Sequence, residues 1–422
     1  IDSPSLIIAY DRLFGGPLPL GLFDIEHADS AMFVGTNPVV SHQWTMPQSN
    51  PMTRIKRALK RGMKLVVIDP RRNEMAERAD VHLQVKPGED ASLLACMIRE
   101  VIENLWYDAD YVANYVSGFE ALYDAVKPFT LEYTERRTTC AAADIVEAAR
   151  IFATAASGVA ASGTGLHMAR HQNLATQLVQ TFNALCGRFD RRGGMTRIPG
   201  TLGPTLPDSG NQPLPVSLRT GQWSRMRNIQ GITGLFGYQE MPTNTLTDEI
   251  LTPGKGQIRA LIVNGGNPAL VFSDTEHTLK ALDDLDLLVV NDLFMSATAK
   301  HADYVMAIKH PFERVDIPML SDNYYPFSFS QYTEKMVEAE DDVIEEWELF
   351  WKLAQRMDSG FSLPGIPAEA NPDADDVIRA LTPDARITLD ELKAAPSSGQ
   401  AYDDRIPDVG GVIPDMIGYA DR

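Results

Sequence analysis

Cysteine is nearly missing from this sequence. The three present, Cys96, Cys140 and Cys186, lie more than forty residues apart, so no pair has the close spacing of a zinc or redox motif. No cluster or zinc site is expected within the chain, and each thiol reads as a buried, reduced structural residue. Such usage fits a reducing compartment. Long apolar runs are missing too. Ala260–Val263 and Leu287–Val290 have strand length, far short of the roughly eighteen residues that a membrane helix needs. Positive charge is in deficit: Lys and Arg number 38 against 57 Asp and Glu, a formal net charge of −19. That argues against nonspecific nucleic-acid binding, in which cations neutralise phosphates. A phosphorylated small ligand stays possible, because loops of backbone N–H groups hold anions locally.

What is there fits a folded α/β protein. A length of 422 residues exceeds one ordinary core, so two α/β units are expected. Ala31–Gly35, Lys64–Asp69 and Val81–Val85 read as strands, the second preceded by a basic helical stretch from Thr53 to Arg61. Ala91–Asn104 puts Leu94, Ile98, Val101 and Ile102 on one helical face, and Asp144–Ala156 reads as a further helix. Strand and helix in alternation predict a parallel sheet covered on both faces. A second such unit starts near Ile258, with strands Ile258–Asn264 and Asp286–Asn291 around a helix from Asp274 to Leu282. Residues 198–256, rich in Gly, Pro, Thr and Asn, read as long loops. The expected organisation is a first nucleotide-binding lobe over 1–200, a repeat-related second lobe over 201–360, and an extended arm or linker over 361–422.

The two units resemble each other. Gly35-Thr36-Asn37-Pro38 ends one strand and Gly265-Gly266-Asn267-Pro268 ends another. Each unit then has a Val-Val-x-Asp strand, closing at Asp69 and Asp292. Each reaches an Ala-Asp pair at the same offset, since 80 − 69 = 11 and 303 − 292 = 11. Three matched features in one order indicate duplication. In open α/β sheets ligands bind beyond the carboxyl ends of the strands. Glycine there lets backbone approach a ligand, Asn tolerates unusual turn angles, and Pro stiffens the turn. Asp69 and Asp292 are placed to accept hydrogen bonds from a ribose or guanine. Arg71 and Arg72 suit phosphate, and otherwise form a solvated basic pair. Pro87-Gly88-Glu89-Asp90 opens a helix, so Asp90 reads as an N-cap, as a partner for a guanine edge, or as both. A duplicated site implies two similar nucleotides, or one ligand with two similar arms. Ser162-Gly-Thr-Gly165 is too weak a fingerprint for a nicotinamide cofactor, because no acidic residue ends a strand about twenty residues later; that position falls inside a helix from Leu174 to Leu185. His167 reads as a hydrogen-bonding loop residue.

In this order the motifs resemble the molybdopterin oxidoreductase family that includes dimethyl sulfoxide reductase, periplasmic nitrate reductase and formate dehydrogenase. The resemblance runs from about Asp24 to Met357. It covers Val34–Pro38 with Ser41-His42, Val66–Arg72, Arg78-Ala-Asp80, Pro87–Asp90, Ser162–Gly165, Asn183–Gly187 with Gly193-Gly194, Val263–Pro268, Val289–Asp292 and Ala302–Val305. It implies two related Rossmann-like αβα lobes with mainly parallel sheets, holding molybdenum or tungsten through a bis-(molybdopterin guanine dinucleotide) cofactor. By position Gly35, Asn37, Ser41, Asp69, Arg71, Gly88 and Asp90 would serve one guanine dinucleotide. Gly265, Asn267 and Asp292 would serve the other, with Gly165 near a pterin. Oxygen-atom or two-electron transfer on a small substrate is the implied reaction. The alternatives are a non-redox hydratase or transhydroxylase on the same cofactor, or an electron-transfer subunit with a vestigial site, as in respiratory complex I. The family's iron–sulfur segment, carrying a [4Fe-4S] cluster, would precede this chain and its closing domain would follow, so the chain is expected to be an internal fragment. An electron-transfer subunit or carrier would be the partner. The family's protein ligand to the metal, counted back from Gly35, falls at Ile1, which cannot bind a metal. Asp2 or Ser3 substitutes, the ligand is lost, or none is used. Formate is disfavoured, because Arg197–Gly203 lacks the Arg-Gly pair of formate dehydrogenases. His310–Asp316 was given no role by the family pattern.

Overall fold

The computed structural model describes residues 4–14, 22–42, 50–196, 201–202, 220–226, 229–233, 239–319, 328–340, 342–396 and 399–401. Helix α1 (Pro4–Phe14) and strand β1 (Leu22–Phe23) lead into β2 (Ser30–Val34), whose five residues are all buried. A short helix α2 (Pro38–Ser41) follows, then α3 (Pro51–Arg61). The start and stop of α3 are local chemistry. Asn50 caps it by accepting from the Thr53 amide at 3.4 Å, Pro51 supplies a preset φ, and Gly62 ends it at φ +109°.

Strands β3 (Lys64–Ile68) and β4 (Val81–Leu83) come next, followed by helices α4 (Asp90–Glu103), α5 (Ala109–Tyr115), α6 (Phe119–Val126), α7 (Leu131–Thr138) and α8 (Ala142–Thr154). Strand β5 (Gly158–Ser162), the one-turn α9 (Thr164–His167) and α10 (Gln172–Leu185) complete the lobe. The sheet is parallel in the order β4-β3-β2-β5. Alternation decides its two faces. Ala31, Phe33, Leu65 and Val67 pack with Ile55 and Ala58 of α3. Met32, Val34, Val66 and Ile68 pack with Leu94 and Ile98 of α4, Phe152 of α8 and Phe182 of α10. Helix α1 lies against α10, and β6 (Met195–Thr196) pairs antiparallel with β1.

Residues 198–256 hold more regular structure than their composition suggests. An antiparallel meander, β7 (Thr220–Trp223), β8 (Gln230–Thr233) and β9 (Gln239–Glu240), precedes helix α11 (Thr243–Leu251). These strands are short and rich in Gly, Gln and Thr, so no apolar alternation announces them. Residues 197–200, 203–219, 227–228 and 234–238 of that region lie outside the described residues.

The second parallel sheet runs β10 (Ala260–Asn264), β11 (Leu287–Asp292) and β12 (Tyr304–Ala307) in that order. Helices α12 (Pro268–Val271) and α13 (Thr275–Asp283) cover one face, where Ala269 and Leu282 meet Val263, Leu288 and Val290. On the other face Ile262 and Tyr304 are 48% and 63% exposed. Their counterparts in the first sheet, Met32 and Val81, are buried beneath helices. After residue 360 the chain is not a plain extended arm. Following α14 (Glu346–Arg356) it forms α15 (Ala374–Leu381) and α16 (Leu389–Ala394). Leu392 and Ile387 pack on Leu202, and β14 (Gln400–Ala401) pairs with β13 (Phe329–Ser330).

Candidate functional site

In chain order the first sheet reads 3-2-1-4, so the direction of winding reverses between β2 and β5. Clefts at such reversals receive ligands in doubly wound folds. Gly35, at the end of β2, has φ +58°. Its amide donates to Ile68 O at 2.8 Å and its carbonyl accepts from Gly165 N at 3.0 Å. A Cβ on Gly35 would stand 2.6 Å from Leu166 N, and one on Gly165 would stand 2.8 Å from Gly35 O. Close packing between the two turns therefore already requires glycine at both positions. The loop after α9 then reaches the opposite edge, where Arg170 Cβ lies 3.6 Å from a Cβ built on Gly88. A cleft of about 530 Å³, lined in part by Arg12, Ala169, His171 and Gln172, opens on this loop. His167 is buried and hydrogen-bonded to Ser162 Oγ at 2.9 Å, as expected, but it closes helix α9 rather than lying in a loop.

Asn37 is the N-cap residue of α2, with Pro38 in the first turn. Its carbonyl accepts from the Val40 and Ser41 amides at 3.0 Å and from Ser41 Oγ at 3.1 Å, so Ser41 braces the turn. Asn37 Nδ2 donates to Glu74 at 2.6 Å, while Oδ1 is buried with no partner among the described residues. Asp69 closes the neighbouring strand. Its Oδ1 accepts from Arg71 N at 2.7 Å and Oδ2 from Asn73 Nδ2 at 3.0 Å. Arg71 projects outward, 75% exposed, with only a 3.9 Å approach to Glu74.

Gly88 turns the chain at φ +87° ahead of α4. The N-cap of α4 is Glu89, not Asp90, and Glu89 makes no side-chain cap bond. Its carboxylate turns aside to Ser92 and to Arg137 at 2.6 Å. Asp90 is the first helical residue, 7% exposed, with no ion-pair partner among the described residues. Burial pushes its carboxyl pKa up, and the nearby Asp69 and Glu89 push the same way; bonds from its own amide and that of Gly88 offset part of this. A buried carboxylate without a cation calls for donors from elsewhere.

The second sheet repeats the turn. Gly265 has φ +60° and donates to Asn291 O at 2.9 Å. Asn267 is the N-cap of α12, with φ −132° against −125° for Asn37. Asp292 Oδ1 accepts from Phe294 N at 3.2 Å, as Asp69 does from Arg71. The Ala-Asp pairs have a structural role: Asp80 accepts from Leu65 N at 2.9 Å, and Asp303 from Leu288 N at 2.7 Å. Asn267 Oδ1 accepts from Thr298 N at 3.1 Å and from its Oγ1 at 2.8 Å. A Cβ on Gly265 would meet nothing within 4 Å. Glu74, Asn73 and Thr298 brace these turns and escaped the sequence reading, because neither Glu74 nor Thr298 has a like residue at the matching position of the other unit.

A sequence profile described as molybdopterin oxidoreductase matches residues 8–356. The chain belongs to the molybdopterin oxidoreductase family. It is 28% identical to an acetylene hydratase of Syntrophotalea acetylenica over 347 residues, which is 77% of this chain and 46% of that protein. It is 28% identical to an F420-dependent formate dehydrogenase subunit alpha of Methanocaldococcus jannaschii over 419 residues, 93% of this chain and 57% of that one. Among solved structures, acetylene hydratase from Pelobacter acetylenicus superposes with a TM-score of 0.74 at 23% identity, over 96% of this chain and 57% of that one. The molybdopterin oxidoreductase fold is thus shared, and the chain spans about half the length of the curated relatives it matches. The residues present fit a donor-rich ligand group of the kind a pterin cofactor would bring. Asn37 Oδ1 and the buried Asp90, neither with a side-chain partner among the described residues, are acceptors that such donors would satisfy, and Arg71 faces outward, open to an anion.

Proposed function

We propose that this protein is a molybdenum- or tungsten-dependent oxidoreductase that holds a bis-(molybdopterin guanine dinucleotide) cofactor, one guanine nucleotide in each lobe. Residues 1–200 would form the first lobe, 201–360 the second, and 361–422 a trailing segment. The observation that carries this reading is the duplicated turn. Gly35 and Gly265 at φ +58° and +60°, an Asn at the N-cap after each, and an Asp closing each neighbouring strand make two matched nucleotide seats. When bound, the cofactor would supply a metal able to exchange two electrons or an oxygen atom with a small substrate. The chain's own residues bind and orient. Gly35, Asn37, Ser41 and Gly88 shape the first seat, Asp69 and Asp90 accept from ribose and guanine donors, and Arg71 faces phosphate. Gly265, Asn267 and Asp292 do the same in the second, and Gly165 sets the width of the cleft beside Gly35. The likeness to a formate dehydrogenase subunit alpha supports an electron-transfer subunit or carrier as partner. Ile1, Asp2 and Ser3, the positions at which the family's metal ligand would fall, lie outside the described residues.

Elemental analysis of the full-length protein, with nucleotide released by acid, tests the proposal: two GMP per molybdenum or tungsten are expected. Asp69→Ala and Asp292→Ala should each lower that occupancy. Metal and pterin absent from wild type would point instead to a vestigial site. A hydratase on the same cofactor is the second reading, favoured by the likeness to acetylene hydratase in sequence and fold and by the missing Arg-Gly pair over Arg197–Gly203. Turnover that continues without any electron acceptor would select it.

A further inference from the structure

Beneath the matched backbones the two seats carry unlike side chains. One shift relates their closing turns, since 292 − 69, 303 − 80 and 294 − 71 all equal 223. Phe294 therefore stands where Arg71 stands, and both residues donate their amide to the strand-ending Asp. Met295 likewise replaces Arg72. Leu293, Phe294 and Met295 are 41%, 76% and 61% exposed, on a turn at the carboxyl edge of the sheet. The asparagines differ too. Asn37 must turn Nδ2 to Glu74, because a carboxylate only accepts, whereas Asn267 must turn Oδ1 to Thr298 N, because a backbone amide only donates. Among the described residues this leaves Asn37 Oδ1 without a partner in the first seat and Asn267 Nδ2 without one in the second.

We infer that the two lobes grip their nucleotides by different chemistry: the first through the guanidinium charge of Arg71 and Arg72, the second through a neutral amide and an apolar turn on which Phe294 stacks against the purine base. The inference rests on the proposed nucleotide seats and adds what distinguishes them. Charge-assisted contacts to phosphate weaken as salt screens them, whereas aromatic stacking on a base is largely indifferent to salt. The first seat is accordingly salt-sensitive and the second salt-tolerant.

GDP, which carries a guanosine and a pyrophosphate, serves as the probe. It is titrated calorimetrically into the full chain stripped of cofactor, at about 50 mM and about 500 mM salt. Two GDP per chain are expected, one bound roughly tenfold more weakly at the higher salt and in Arg71→Ala. The other should hold its affinity across the salt range, weaken about tenfold in Phe294→Ala, and recover in Phe294→Trp. Phe294 is exposed, so the variants should fold; unchanged melting verifies that. Two sites with equal salt dependence, or Phe294→Ala leaving both affinities unchanged, overturn the inference while the seats themselves stand. No saturable GDP site at all overturns both.

Discussion

Asp90 is a carboxylate held at 7% exposure between Asp69 and Glu89. Burial raises its folded-state pKa above the unfolded value, so in the window between them the folded chain binds more protons than the unfolded one. Stability from this group therefore falls as pH rises through that window, and the penalty is absent below the ordinary Asp range. Asp90→Asn should stabilise the cofactor-free protein at neutral pH by about 1 kcal/mol, as relief of a functional-site charge commonly does. That gain should vanish below roughly pH 4, and the variant should retain less nucleotide. Urea unfolding at the two pH values is the check; a net loss of stability would mean that the amides of Gly88 and Asp90 already satisfy the charge. Burial shifts the three cysteines in the same direction, with the opposite consequence for reactivity. Burial lifts Cys96 to about 11 and Cys186 to about 12, which leaves them inert thiols with no part in the chemistry.

The strand-turn-helix unit occurs twice with one backbone and two surroundings, and this separates conformation from packing. Gly265→Ala meets open space, so it should cost only the left-handed backbone penalty of about 1 kcal/mol. Gly35→Ala adds a Cβ at 2.6 Å from Leu166 N, backbone that cannot swing away, and should cost about 3 kcal/mol. Equal losses in denaturant unfolding would show that the contact between the Gly35 and Gly165 turns is not maintained in solution. Asp303→Ala removes the acceptor for Leu288 N and should destabilise by about 1 kcal/mol. The strands of this unit and the longer helices around it were legible to within two residues, because alternation, capping residues and Gly or Pro stops are local signals; its one-turn helices α2 and α12 were read only as turns. Helices α5 to α7 and the β7–β9 meander were not read. Those helices span only seven or eight residues each, too few for a helical period to register, and the meander's pairing depends on neighbours distant in sequence.

The chain, with its net charge of −19 and no helix among the described residues long and apolar enough to cross a membrane, is organised around two sheets that end in ligand-sized turns. A ligand that binds only folded protein adds stability by mass action, about 2.7 kcal/mol at a hundredfold excess over its Kd. Cofactor-loaded protein should therefore melt above cofactor-depleted protein, and Asp69→Ala should narrow the gap. Identical melting curves by calorimetry would show that these seats do not hold the nucleotides.

Gly35, Asn37, Asp69, Gly265, Asn267 and Asp292 could be paired from spacing alone, because a turn's backbone follows from its own residues and a copied motif keeps its offsets. Other features appear only when distant segments meet. Gly165 lies 130 residues beyond Gly35, and its fit against that turn is a packing fact. So are the partnerless Asn37 Oδ1, the cation-free burial of Asp90 and the outward Phe294. Desolvation and contact depend on what the folded chain brings alongside each atom, and no run of neighbouring residues encodes that.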